Sequence, residues 1–488
     1  MKNTLTLLCI LCSFVISSFA QEVPPSPGAP KSVSVPAVQE KKLTNGLTVA
    51  VVQKSQVPLV TINLLIRTGA FAEDTSKAGL ADMTASMLTK GTKTRTATQI
   101  AEAIEFLGGS INSGAGWNTT YISVTVTSDK VAQAMAILAD VVLNPKFDQK
   151  EIDLLKTQTL DGLTYSLKQP GFLSSYVTSK YSFGEHPAGG TPASIGTISR
   201  ADIVKFQKDH YKPVNSVLVF AGDISAATSS ALAAKYFSAW GKGAVPPVKE
   251  MRLDRLTKLG TADNSGPRPV VNRFLVIDLP QSGQASVSYA QPIKDVGRSD
   301  QRYFSASVLN SIFGGGYSSR LNQEIRIKRG LSYGAFSGFA WRASKANFSS
   351  STQTKNESAA EVAELMIDEL RKLSTTPTAE SELAPRKSGL TGPFGLSLET
   401  TGGLASAIGD LYGFGIPSSE LNSYVANVNA VTSTQIKDFA LDNLLGGDIV
   451  IVGDYSIFKA DLAKRFPKMT VDVIKADDLD LSKDNLRK

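Results

Sequence analysis

Residues 201–223 read ADIVKFQKDHYKPVNSVLVFAGD, and residues 434–454 read TQIKDFALDNLLGGDIVIVGD. Each segment predicts an amphipathic helix, then a short buried strand, then a Gly-Asp pair. Ile203 and Phe206 of the first segment match Ile436 and Phe439 of the second at one common offset. A spacing of about 230 residues is too long for a solenoid repeat and is typical of duplicated domains.

The beginnings of the two halves also match. Residues 58–66 (PLVTINLLI) and 283–291 (GQASVSYAQ) each predict a strand that is followed by a polar loop and a helix. Both of these helices end in glycine, at Gly91 and at Gly314. Chance similarity between common strand-helix units is the alternative. Two matches in the same order favour internal duplication.

The order of strands and helices predicts the fold class. Strands pair across short turns and helices follow them, which favours α+β architecture. We therefore expect two homologous α/β-sandwich domains, each a largely antiparallel sheet packed with helices. In the first half the predicted strands are 47–54, 58–67, 119–127 and 216–221, and the predicted helices are 77–90, 96–107, 129–143, 148–168 and 200–211.

Composition excludes several classes of protein. The chain has 488 residues, of which 42% are hydrophobic and 19% charged, so it is neither disordered nor fibrous. Its net charge of +7 is mild, and no dense Lys/Arg block predicts a nucleic-acid partner. With two His and two Cys, the chain has few good ligands for a metal.

The N-terminal segment predicts export. Lys2 precedes an apolar run from Leu5 to Val15, and small residues follow up to Ala20, which is the pattern of a cleaved secretory signal peptide. An uncleaved membrane anchor is the alternative, but the run is short for a span. Both cysteines lie in this segment, so the mature chain would have none. We expect a periplasmic protein with no membrane span after signal removal.

The remaining boundaries follow from composition. Proline-rich stretches lie before the first domain and between the two halves, where Pro246 and Pro247 are adjacent. The expected segments are a signal peptide (1–20), a spacer (21–39), an N-terminal domain (40–242), a linker (243–270) and a C-terminal domain (271–478).

Residues 78–92, AGLADMTASMLTKGT, resemble the zinc-helix segment of the pitrilysin/insulinase-type metallopeptidases, the inverzincins, whose active members carry H-x-x-E-H there. The resemblance extends over roughly residues 40–475 and is carried by several motifs in the family's order. These are Leu107-Gly108-Gly109, Asn144-Pro145, His210-Tyr211-Lys212-Pro213 and Gly222-Asp223.

The zinc motif itself is lost. Asp82, Ala85 and Ser86 stand where active members have His, Glu and His. Two imidazoles one turn apart would meet one Zn²⁺ and the Glu would take a proton from water, which these residues cannot reproduce. The resemblance places Gly162 where the family's third ligand, a Glu, belongs, and Leu155 where a supporting Glu sits. It therefore implies no metal on this chain.

The helix that carried the motif is nevertheless expected to remain. Leu80, Met83, Met87 and Leu88 form an apolar stripe at helical spacing. We expect the segment to be kept as structure without its chemistry.

Residues 318–335, SSRLNQEIRIKRGLSYGA, resemble the family segment in which an Arg is followed seven residues later by a Tyr. Arg326 and Tyr333 have that spacing. The resemblance implies that this pair faces the zinc site across a chamber and binds the substrate backbone. Arg329 remains a competing candidate for the Arg, and a surface Arg beside a buried Tyr is the purely structural alternative.

Two further features have structural readings. His186 and His210 are expected to pack and hydrogen-bond rather than to ligate a metal. Residues 314–316 (Gly-Gly-Gly) predict a helix C-cap, and the resemblance implies a flexible loop at a chamber entrance.

These observations predict a zinc-less, exported subunit of a heteromeric peptidase. A zinc-bearing paralogous partner would hydrolyse peptides, and this chain would supply Arg326 and Tyr333. The alternative is a non-catalytic scaffold or peptide-binding protein of the same fold. A protease with an unorthodox site of its own is a third possibility.

Overall fold

The structure is a computed structural model, and it describes residues 34–247 and 269–488. Each half contributes one six-stranded sheet. The first sheet has the order β1-β2-β6-β3-β5-β4 and the second β12-β7-β11-β8-β10-β9. The strands are β1 (Gln39–Lys42), β2 (Thr48–Gln53), β3 (Leu59–Ile66), β4 (Ser110–Ala115), β5 (Thr120–Thr127), β6 (Ser216–Gly222), β7 (Val271–Asp278), β8 (Ala285–Ile293), β9 (Ala335–Trp341), β10 (Ala346–Thr354), β11 (Gly447–Gly453) and β12 (Val471–Lys475).

The two sheets have the same internal topology. In the first sheet β2 pairs in parallel with β6, and in the second β7 pairs in parallel with β11. The edge strands differ, since β1 precedes β2 along the chain and runs antiparallel to it, whereas β12 follows β11 and runs parallel to β7. The remaining pairs are antiparallel. The predicted fold class, two largely antiparallel sheets packed with helices, is confirmed.

Helices cover both sheets. Those of the first half are α1 (Leu80–Met87), α2 (Ala97–Phe106), α3 (Val131–Leu143), α4 (Gln149–Ser166), α5 (Pro170–Tyr181), α6 (Pro192–Thr197), α7 (Arg200–His210) and α8 (Ala226–Phe237). Those of the second half are α9 (Arg302–Phe313), α10 (Ala359–Thr375), α11 (Glu380–Ser397), α12 (Thr401–Gly413), α13 (Glu420–Ala430), α14 (Ser433–Asn443) and α15 (Tyr455–Arg465), with a π-helical turn at Asn322–Ile327.

The predicted helix 77–90 is shorter in the structure. Gly79 has φ of 93°, a left-handed conformation that glycine adopts readily, so the α-helix begins only at Leu80. It ends at Met87, and one 3₁₀ turn, Leu88–Lys90, leads into Gly91. The apolar stripe that was expected on this helix is buried in the core of the first half.

Each half covers the sheet of the other half with one helix. α5 packs on β8 and β11 of the second sheet, and α12 packs on β3 and β6 of the first. The same hydrogen bond occurs at both contacts: Ser174 on α5 lies 2.9 Å from Ser288 on β8, and Thr401 on α12 lies 2.9 Å from Thr61 on β3, between side-chain oxygens. This exchange was not predicted from the sequence.

Polar contacts add to the junction between the halves. The buried Glu185 carboxylate binds Arg342 at 2.6 Å and Lys345 at 3.1 Å. Burial opposes ionisation of Glu185, but these two cations outweigh it and hold the pKa of that carboxyl below its usual range. Nearby, Asn118 Nδ2 donates to the carbonyl of Trp341 at 2.9 Å.

The structure describes only part of the segments at the predicted domain boundaries. Residues 1–33 and 248–268, which include the predicted signal peptide and most of the linker, lie outside the described residues. The end of the predicted spacer is held, because Val35 N–H donates to Asn422 Oδ1 at 2.8 Å. Beyond the predicted end of the second domain, Leu486 is fully buried against Leu173 and Val177 of α5. In the described part of the chain, no helix combines the length and apolarity needed to cross a membrane.

Candidate functional site

The three lost zinc-motif positions lie on α1 beside the edge strand β4. Asp82 and Ser86 are half-buried, and Ala85 is fully buried. Asp82 Oδ1 accepts from the backbone N–H of Ala115 at 3.5 Å, and the carbonyl of Ala85 accepts from Ser113 Oγ at 2.9 Å. Burial raises the pKa of the Asp82 carboxyl. This face of the helix therefore holds the end of the sheet.

The residues at the family's zinc positions do not fit a zinc ion. Gly162 lies exposed on α4, and a Cβ built there would meet no atom within 4 Å, so there is space but no ligand. Leu155 on the same helix packs against the core of the first half. Of the three ligand positions, Gly162 supplies no side-chain ligand atom and Ser86 supplies only a hydroxyl, whereas protein zinc sites use at least three side-chain ligands. Ala85, at the position of the base, has no carboxyl to accept a proton. Within residues 34–247 and 269–488, no cluster of three or more His, Cys, Asp or Glu side chains could hold a metal.

A buried carboxylate that sequence reasoning missed holds the start of α1. Glu73 accepts from the backbone N–H groups of Gly79 at 2.8 Å and Ala81 at 2.7 Å, and its Oε1 lies 3.0 Å from His186 Nε2. Burial raises the pKa of Glu73, although these partners favour its ionised form. An acidic residue shortly before a helix was the available signal, because helix N-termini favour negative charge.

The two histidines are closer than their sequence separation suggests. Both line one cleft of about 460 Å³, together with Glu73, Phe206 and the Pro246-Pro247 pair. His186 hydrogen-bonds to Glu73, and burial lowers the pKa of His210, which packs against Phe206 with ring centroids 4.6 Å apart. Their contacts are those of packing and hydrogen bonding.

The second half places Arg326 in the π-helical turn. Its guanidinium carbon lies 4.7 Å from the ring centroid of Tyr317. Among the described residues Arg326 has no ion pair or hydrogen bond from its side chain. Arg329 differs, because it binds Glu324 at 2.6 Å and lies 3.8 Å from Glu361. Of these two arginines, Arg326 has the guanidinium donors that remain available to a ligand.

Tyr333 lies on the bend between this turn and β9. It is 90% exposed, so the alternative of a buried tyrosine does not hold. The buried side chain of Asn322 connects the two flanks of the segment, since its Nδ2 donates to the carbonyl of Tyr317 and its Oδ1 accepts from Ala335 N–H at 3.3 Å. The structure therefore brings Arg326 and Tyr333 onto one braced segment.

The glycine loop caps the C-terminal end of α9, which is the simpler of its two interpretations. The N–H of Gly314 donates to Asn310 at the end of α9, and its carbonyl accepts from Ser337 N–H of β9 at 3.0 Å. A Cβ at Gly314 would lie 2.5 Å from Ser337 Oγ. Glycine is required here because β9 approaches the loop so closely. The expected flexibility of residues 314–316 stays a prediction.

Family models match both halves. One described as "Insulinase (Peptidase family M16)" matches residues 48–170, and one described as "Peptidase M16 inactive domain" matches residues 197–390. The chain is 31% identical to an uncharacterized zinc protease of Rickettsia bellii over 296 residues, covering 60% of this chain and 67% of that protein. It is 28% identical to another of Rickettsia felis over 403 residues, covering 80% and 91% of the two chains.

Solved structures agree with the fold. A peptidase M16 inactive domain from Pseudomonas fluorescens, 26% identical, superposes with a TM-score of 0.75 over 85% of this chain and 98% of that chain. A protease from Helicobacter pylori, 17% identical, has a TM-score of 0.78 over 86% and 100% and supports the fold alone. With its zinc motif replaced and its two sheets intact, the chain belongs to the insulinase family of peptidases, family M16.

Proposed function

We propose that this chain is the non-zinc subunit of a heteromeric peptidase. It would associate with a zinc-bearing paralogous chain and contribute contacts to peptide substrates, while the partner holds the metal. The single observation that carries the proposal is the contrast between the halves. The first half has no His, Glu or Cys at the positions matched to the zinc motif, whereas the second has an exposed Tyr333 and an Arg326 that makes no ion pair with the described residues.

The chemistry of the retained pair suits peptide hydrolysis. The Arg326 guanidinium can donate two parallel hydrogen bonds to a peptide carbonyl or carboxylate. The Tyr333 hydroxyl can donate to the oxygen that becomes negatively charged when a peptide carbonyl is attacked. Neither role needs a metal on this chain. Glu324 and Glu361 engage Arg329, which supports Arg326 as the residue that contacts substrate.

Reconstitution with the partner tests the proposal. Co-expression with a zinc-bearing paralogue should give a complex that cleaves peptides faster than the partner alone. Arg326→Ala should lower kcat/KM of the complex about 10- to 100-fold, the effect of losing a hydrogen bond to a charged group, and leave association intact. Tyr333→Phe should lower kcat by about 100-fold if its hydroxyl stabilises the oxyanion.

Arg329→Ala is the matched control, because it removes a neighbouring arginine that is already paired. It should leave peptide cleavage near the unmodified rate. A partner that cleaves equally well alone, or two chains that never associate, would contradict the proposal. If Arg329→Ala rather than Arg326→Ala lowered the rate, the assignment of the arginine would be wrong.

A second candidate function is a scaffold or peptide-binding protein without catalysis. The buried Ala85 and the structural contacts of Asp82 favour it, because α1 is retained as a packing element. A stable complex that binds peptides but never cleaves them would favour this candidate.

We also propose that the chain is exported to the periplasm. The support is the charged, apolar and small-residue pattern of residues 1–20. Cell fractionation and N-terminal sequencing of the purified protein would test it. A product that starts at Met1 and stays in the cytoplasm would contradict export.

A further inference from the structure

Exposed aromatic side chains lie on the segment that carries Arg326. Tyr317 is 61% exposed, Tyr333 90% and Phe336 56%. Large apolar side chains scattered singly on a surface need no explanation, but a group of them beside an unpaired cation is typical of a binding surface. Tyr333 belongs to the proposed function already, whereas Tyr317 and Phe336 do not.

Hydrogen bonds join the glycine loop to the start of β9. Tyr317 follows the glycine loop, and Gly314 of that loop accepts a hydrogen bond from Ser337 N–H, directly after Phe336. Asn322 connects the carbonyl of Tyr317 to the start of β9 at Ala335. Because the side chain of Asn322 is buried, the loop and the strand are held by an internal polar contact rather than by a surface one.

The ring of Tyr317 has two faces, and Arg326 occupies one of them. The guanidinium carbon lies 4.7 Å from the ring centroid, within the range of a cation–π contact. A tyrosine that is 61% exposed still presents much of its remaining surface to solvent. Arg326 has no carboxylate among the described residues, so the ring is the contact that fixes the direction of its donors.

We propose that Tyr317 positions the Arg326 guanidinium and selects peptides that carry a large apolar or aromatic side chain next to the carbonyl that Arg326 binds. This inference rests on the proposed function, in that the chain binds peptides at Arg326. A peptide satisfies both features at once, since its carbonyl accepts from Arg326 while its side chain packs on the exposed ring of Tyr317. A subunit surface that covers the same ring is the competing occupant.

Peptide binding by the purified full chain without its partner tests the inference. The probes are two fluorescein-labelled peptides with one sequence that differ only in a central Phe or Gly, and the measurement is fluorescence anisotropy. The unmodified chain should bind the Phe peptide more tightly. Tyr317→Leu should weaken binding of the Phe peptide about two- to fivefold and remove its advantage over the Gly peptide, as expected for one cation–π or aromatic contact.

Two variants serve as controls. Tyr317→Phe retains the ring and should retain the preference. Tyr165→Leu removes another strongly exposed tyrosine, on α4, and should change neither affinity. Circular dichroism of each variant checks that it is folded, so that a change in peptide binding cannot come from unfolding.

The outcomes separate the two hypotheses. An unchanged preference in Tyr317→Leu, or equal binding of both peptides by the unmodified chain, would overturn the inference. So would a Tyr317→Leu variant that loses only its association with the zinc-bearing chain, because the rings would then be a subunit contact. Absence of peptide binding by the chain alone would also overturn it, whereas peptide cleavage by the reconstituted complex would still decide the proposed function.

Discussion

Asp82 stands at a position matched to the zinc motif, but its contacts are structural. Its carboxyl is half-buried on α1, where a backbone N–H of β4 at 3.5 Å is the one hydrogen-bond donor that it contacts among the described residues. A charge that is buried with so little compensation disfavours the folded state. The side chain is therefore a cost to stability at neutral pH.

Asp82→Asn should raise stability at neutral pH. Burial raises the pKa of Asp82, so its ionised form is favoured in the unfolded chain. The carboxyl is neutral and without penalty below its unfolded pKa of about 4, and the penalty grows as the pH rises through the folded pKa. The unfolding temperature of Asp82→Asn should exceed that of the unmodified chain at pH 7.5, on the order of 2 °C, and the difference should close near pH 4.

Asp161→Asn provides the control, because Asp161 is exposed on α4. Its unfolding temperature should follow that of the unmodified chain at both pH values. If Asp82→Asn raised the unfolding temperature equally at pH 4 and pH 7.5, ionisation of Asp82 would not be the cause of the stabilisation.

For single residues, the sequence predicted which positions matter but not which side chains contact them. Spacing placed Arg326 and Tyr333 on one segment, and the structure brings them there. Spacing could not decide whether Arg326 or Arg329 is the arginine that binds substrate. The carboxylates that contact Arg329 include Glu361, which lies on another helix and is distant in sequence. Tyr317 was missed for the same reason, since nothing in its sequence context states that a guanidinium lies over its ring.

The N-terminal end of helix α1 is hydrogen-bonded by a residue that lies outside the helix. Gly79 at its N-cap has no side chain, so the orphan N–H groups of the first turn need another acceptor. Glu73 supplies that acceptor from a preceding loop, and His186 holds the carboxylate from the far side. The start of α1 is thus held by a buried polar network.

Glu73→Ala should destabilise the protein by about 3 kcal/mol or more. It leaves the N–H groups of Gly79 and Ala81 and the His186 ring without their acceptor, and a buried unsatisfied group costs about 1–3 kcal/mol. Urea unfolding followed by circular dichroism measures the change. Glu102→Ala, at an exposed position of α2, should stay within about 0.5 kcal/mol of the unmodified chain. Equal midpoints for the two variants would refute the role given to Glu73.

The pattern of apolar residues predicted strands and helices well where local burial alone determines the element. The strands 58–67 and 119–127 match β3 and β5 closely. β5 alternates between buried and more exposed residues, and β3 is a nearly continuous buried run, and both patterns are typical of strands. The helix 77–90 was too long, since apolar spacing does not register the left-handed Gly79. The apolar pattern of a helix also does not show which sheet it covers. The sequence therefore did not predict that α5 and α12 each pack on the sheet of the other half.

At the scale of the whole molecule, the exchange makes the halves dependent on each other. A half without its neighbour would expose the sheet face that α5 or α12 covers, and the face under α5 includes the apolar Val450 and Val452 of β11, which pack with Val177. Exposure of such a surface disfavours an isolated fold. We therefore expect one cooperative unfolding transition for the described part of the chain rather than two.

Cleavage of the linker tests this dependence directly. A protease site inserted between residues 248 and 268 would allow the folded chain to be cut into two pieces without altering α5 or α12. The pieces should co-elute at the mass of the uncut protein in gel filtration, because the Ser174–Ser288 and Thr61–Thr401 contacts and the buried Val177 still join them. Val177→Asp places a charge in that contact and should make the cut pieces separate or aggregate. Two soluble, folded pieces that elute apart from the unmodified cut chain would mean that each half is an independent domain.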